Sequence, residues 1–84
     1  MAEFPYHIHG EEGRIILEGT ITDAVSGALW DAYSSSGKSP EVVLECTGIE
    51  HIDIFGLNEL IKMWLRARSQ KRSVRATGVS RELM

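Results

Sequence analysis

Between Glu41 and Leu60 the chain reads EVVLECTGIEHIDIFGLNEL, and the reading of this stretch decides the fold. As far as Gly48 it is short and β-branched, with apolar residues on both faces at Val42, Val43 and Leu44. That pattern suits an interior parallel strand covered on both sides. From its far end, Leu57, Leu60, Ile61, Trp64 and Leu65 recur at i, i+3, i+4, i+7 and i+8, one apolar stripe of a helix running to about Gln70. A strand therefore hands over to a helix across HIDIFGLNEL, and α/β proteins commonly place their ligands at such junctions. Here the junction holds Ile54 and Phe55 where a reactive group would be expected.

The junction itself has a plain structural reading. Asp53 and Gly56 bracket a loop that enters a helix, where backbone N–H groups lack partners and the Asp53 carboxylate can accept from them. Gly56 lets the chain turn where a Cβ would obstruct it. Neither role calls for Ile54 and Phe55. These two side chains either tuck beneath the helix or face outward as a patch that a partner would cover.

Upstream, FPYHIHG alternates Phe4, Tyr6 and Ile8 against Pro5, His7 and His9, a period-two strand. GEEG, Gly10 to Gly13, reads as a turn, and RIILEGTI returns with Ile15, Leu17 and Ile21 on one face, so the pair is a hairpin. A helix follows with Thr22 or Asp23 as N-cap, a stripe of Val25, Ala28, Leu29, Ala32 and Tyr33, and an end at Gly37. Trp30 and Met63 lie off their helices' stripes and are secondary interface candidates, against the plainer reading of a partly buried core edge. Downstream, SVRATGV reads as a last strand and SRELM as a first helical turn capped by Ser80. The order β-β-α-β-α-β-(α) implies crossover connections: a single α/β domain over residues 1–84, with a mixed, mostly parallel sheet of about four strands.

Eighty-four residues leave room for one small core. No apolar run is long enough to span a bilayer, the N-terminus lacks the pattern of a signal peptide, and the single cysteine, Cys46, forms no intrachain disulfide; these point to the cytoplasm. The net charge of −3 conceals a division: residues 1–60 carry eleven acids and two bases, residues 61–84 seven bases and one acid. No aromatic residue interleaves with the bases from Arg66 onward, so a stacking platform for nucleic acid is missing, and the split reads as steering of protein partners.

No catalytic constellation emerges. Gly37-Lys38-Ser39 resembles the tail of a phosphate loop, but Ala32 stands where its first glycine belongs and the element order is reversed. His7 and His9 share a strand face without a third metal ligand nearby in sequence. His51 has no serine or cysteine at a recognisable spacing, and Cys46 suits a small buried hydrophobe. The expectation is a protein that is not an enzyme and uses no cofactor and no metal.

Taken together, Val42-Val43-Leu44-Glu45, Ile52-Asp53, Gly56-Leu57 and Gly78-Val79-Ser80 make the chain resemble the STAS domain, the family of anti-sigma-factor antagonists. The likeness covers residues 14 to 84. The resemblance implies a module of transcription regulation and signalling that binds a serine-kinase-type anti-sigma factor. It would dock through Asp53, Ile54, Phe55, Gly56 and Leu57, with Lys62 and Arg66 as an electrostatic rim on the helix that follows. In phosphorylatable members the residue after the aspartate is a serine or threonine; here it is Ile54, which cannot accept phosphate. The alternative implied by the same resemblance is an accessory subunit of an ABC lipid transporter. Self-association as a homodimer, through the charge division or an exposed sheet edge, is a further expectation; nucleic acid binding and direct membrane insertion are not. Family members usually continue beyond the GVS motif, so the chain is expected to be C-terminally short, with Arg72 and Arg75 blunting an otherwise open edge strand.

Overall fold

A computed structural model describes residues 6–78. In chain order these form β1 (Tyr6–Glu11), β2 (Arg14–Ile21), a 3₁₀ turn (Asp23–Val25), α1 (Ser26–Ser35), β3 (Glu41–Ile52), α2 (Ile54–Ser69) and β4 (Ser73–Thr77). The sheet runs β1-β2-β3-β4, with β1 antiparallel to β2 and the other pairs parallel. The expected α/β class and element order hold as far as β4. Phe4, Pro5 and the helical turn expected at SRELM lie outside the described residues.

Parallel strands added always on the same side, through right-handed crossovers, bring every crossover helix to one face of the sheet. That is the arrangement among the described residues, and within them it corrects the expectation that β3 is covered on both sides. Ile15, Leu17 and Ile21 of β2 and Val42, Leu44 and Cys46 of β3 form one core with Val25, Leu29, Ala32 and Tyr33 before and within α1 and Met63 and Ala67 of α2. Val43, between two core residues, points to the opposite face, where it is only half-buried. That face is polar among the described residues: Arg14 bridges Glu11 at 2.7 Å and Glu45 at 2.9 Å, and His9 lies 3.5 Å from Glu11. His7 and His9 both stand exposed.

One smaller expectation changes for a steric reason, and the choice between two caps is decided. The hairpin turn is only Glu12–Gly13, because Glu11 and Arg14 still pair. Gly10 is a strand residue paired with Ile15, and its missing Cβ makes room for the Ala32 carbonyl of α1. Thr22 is the cap of the 3₁₀ turn, its hydroxyl accepting from the Ala24 N–H at 3.1 Å.

Arg72 does not blunt the β4 edge. Its side chain is buried, with Nε donating to the Ser39 carbonyl at 2.7 Å and the two Nη atoms donating to the Ser36 hydroxyl and carbonyl at 3.2 Å. The guanidinium also lies 5.2 Å from the centre of the Tyr33 ring. A cation at the C-terminal end of α1 meets the carbonyls that the helix leaves without partners, so Arg72 ties the Ser36–Ser39 connection to the start of β4. Arg75 is exposed as expected and sits 3.7 Å from Glu41. Trp30 is half-buried and packs edge-on against Tyr33, the plainer of its two readings. Met63 is fully buried and is removed as an interface candidate.

Candidate functional site

The segment from Asp53 to Leu57 is the first turn of α2 with its cap, not a loop. Asp53 is the N-cap, in extended conformation, and its carboxylate accepts from the Gly56 N–H at 2.7 Å while its carbonyl accepts from the Leu57 N–H at 2.9 Å. Its own N–H donates to the Ile21 carbonyl at 3.2 Å, which ties the turn to the end of β2. Gly56 is buried there, and a Cβ on it would overlap the Ile21 carbonyl. Its role is close packing of helix on strand rather than a tight turn. The expected glycine requirement holds for a different reason.

With its inner side pressed against backbone, the turn presents its large side chains to solvent. Ile54 is 69% exposed and Phe55 59%, with Leu57 also exposed. Of the two placements open to Ile54 and Phe55, the structure takes the outward one. Lys62 and Arg66 are exposed as well. Lys62 pairs at 3.1 Å with Glu59, whose side chain lies almost entirely within the protein, while Arg66 has no carboxylate partner among the described residues.

The apolar stripe read from the sequence is out of phase with the buried face. The residues of α2 that enter the core are Gly56, Glu59, Met63 and Ala67, with Leu60 partly buried beside them. Ile61, Trp64 and Leu65 face outward instead, at 40%, 39% and 53% exposure. They continue the surface begun by Ile54 and Leu57, and Arg68 lies over the Trp64 ring at 5.2 Å. Residues at i, i+3, i+7 and i+11 share one side of a helix, so Ile54, Leu57, Ile61 and Leu65 form a single apolar ridge. The signal that could have revealed this was residue size. Gly56 and Ala67, eleven residues apart, mark the side on which a helix approaches its neighbours closely.

The site presents a large apolar contact area. Cys46 is buried and desolvation pushes its thiol pKa up, away from the thiolate a nucleophile needs. His51 is exposed on β3, with no side-chain hydrogen bond or ion pair among the described residues. Among the described residues no cluster of His, Cys, Asp and Glu could hold a metal ion, and no helix is long and apolar enough to cross a membrane.

Comparison with known proteins adds the remaining findings. A family model described as Mlab, STAS domain, matches residues 4–84. The fold is similar to the crystal structure of an antisigma-factor antagonist STAS domain from Rhodobacter sphaeroides, with a TM-score of 0.73 and 17% identity over 99% of this chain and 100% of that one. It is also similar to part of the crystal structure of Mglu, with a TM-score of 0.67 and 20% identity over 89% of this chain, which spans only 20% of that protein. No curated protein sequence matches the chain.

Proposed function

The chain belongs to the STAS domain family, and from that premise we propose that it is a non-catalytic interaction module that docks a regulatory protein through the first turn of α2. The observation that carries the reading is the outward exposure of Ile54 and Phe55 on a turn held rigid by the Asp53 cap and the Gly56 contact. A rigid turn orders few groups on binding, so its apolar contacts are not offset by a large loss of side-chain and backbone freedom. Lys62 and Arg66 supply the rim, where exposed charge steers encounter more than it adds affinity.

The partner in this reading is a serine-kinase-type anti-sigma factor in the cytoplasm. Ile54 occupies the position of the family's phosphoacceptor and has no hydroxyl, so docking here is not switched off by phosphate. A dianion dropped into an apolar interface would otherwise repel it. The module would act as a constitutive antagonist or scaffold.

The test uses affinity capture with the full chain, followed by titration of the recovered partner against Ile54→Asp. A loss of at least about tenfold in affinity is expected, since a carboxylate would be desolvated against apolar contacts. Undiminished binding by Ile54→Asp would remove the first turn from the interface. A transporter ATPase recovered in place of a kinase would assign the chain to the accessory subunit of an ABC transporter.

A further inference from the structure

The C-terminal half of α2 carries a second surface, at the far end of the ridge that begins in the docking turn. Trp64, Arg68, Lys71, Arg72, Ser73 and Val74 line a groove of about 390 Å³ between α2 and the edge strand β4. Trp64 and Val74 give it an apolar floor, and the ridge residues Ile61 and Leu65 extend the apolar surface beside it. Its charge is of one sign. Arg68 and Lys71 are exposed, and neither is within ion-pair distance of a carboxylate among the described residues. We infer that this groove, with Ile61 and Leu65, is a docking surface for an acidic amphipathic helix of a partner protein, one whose apolar ridge is flanked by Asp or Glu.

Charge selects that occupant over the others. A second copy of the chain meeting this face across a two-fold axis would set the Arg68 and Lys71 patch against the same patch, like charges at close range. An anionic membrane would attract the rim but repel the remainder of a chain whose net charge is −3. A helix with apolar residues at i, i+3 and i+7 and carboxylates beside them satisfies the ridge and the cations together. Arg68 is already held over Trp64, so its charge is partly positioned before the partner arrives.

The experiment titrates the full chain with two labelled helical peptides of about 15 residues, long enough to follow the ridge. They share one Leu ridge and differ only in Glu or Lys flanks, and binding is read by fluorescence anisotropy. The Glu peptide is expected to bind at least about tenfold more tightly than the Lys peptide, with the preference shrinking as salt rises. Leu65→Asp should abolish binding, and Arg68→Glu combined with Lys71→Glu should reverse the preference. All three positions are solvent-exposed, so these variants keep the fold. Phe55→Asp, at the other end of α2, should leave peptide binding unchanged, which separates this surface from the docking turn. Equal binding of both peptides, or none, overturns the inference. So does Leu65-dependent dimerisation in sedimentation, or Leu65-dependent capture by phosphatidylcholine–phosphatidylserine vesicles without peptide binding.

Discussion

The two helices carry the same apolar spacing and use it in opposite ways. In and before α1, Val25, Leu29, Ala32 and Tyr33 of the stripe are buried against the sheet. In α2 the matching positions Leu57, Ile61, Trp64 and Leu65 are exposed, and the core is filled from Gly56, Met63 and Ala67. The difference comes from where the close backbone contact of each helix falls. α1 follows a 3₁₀ turn, and its own close backbone contact, the Ala32 carbonyl against Gly10 of β1, falls on the side that its stripe already buries. α2 is pinned at its first turn by the Asp53 cap and by Gly56 lying against the Ile21 carbonyl, and that contact fixes which side faces inward for the whole helix. Backbone-to-backbone packing thus overrides the hydrophobic stripe. The apolar residues displaced to the surface are the material of the proposed interface.

If the Gly56 contact sets the rotation of α2, adding bulk there should be the most damaging change. Gly56→Val is expected to cost about 3 kcal/mol or more, since the neighbour that must yield is backbone; a urea midpoint close to that of the wild type would break the comparison. Met63→Ala should cost about 2–5 kcal/mol through the cavity it leaves, whereas Leu65→Ala should stay within about 0.5 kcal/mol. Equal losses for these two in chemical denaturation would mean that the stripe, not the small-residue side, is the buried one.

Arg72→Met tests the connection that follows α1. Three donors are lost and the Ser39 carbonyl loses its partner, while the Ser36 carbonyl keeps the Gly13 N–H, for an expected cost of about 2 kcal/mol. Hydrogen exchange should show faster opening of the Ser36–Ser39 segment than of β2. Asp53→Ala is expected to cost less, about 1 kcal/mol from the lost cap. Its partner Asp53→Asn should recover most of that stability, which would separate capping from any charge-dependent role of Asp53 in docking.

Much of the fold was legible because period and punctuation are local. The strands around Ile15 and Val42, the helix ending at Gly37 and the helix reaching Gln70 all follow from apolar spacing and glycine placement. The family likeness rested on Ile52-Asp53 and Gly56-Leu57 in that order of elements. The candidate turn was legible as a cluster of residues, but its form was not. The sequence does not distinguish a loop from a capped first turn when Asp53 can satisfy either. Arg72 was read as an edge residue because its acceptors, Ser36 and Ser39, lie more than thirty positions earlier in the chain.

By itself, then, the sequence determined which segments are strands and helices, their order, and the absence of a hydroxyl at position 54. These depend on local backbone preference and side-chain chemistry, which each residue carries with it. Tertiary structure alone decided the one-sided covering of the sheet, the rotation of α2 and the burial of Arg72. Each depends on how closely two backbones approach, a property of pairs of elements that no single segment contains. The surface from Ile54 to Leu65 is the outcome of that choice: apolar enough to be read as core, and held outward by a glycine.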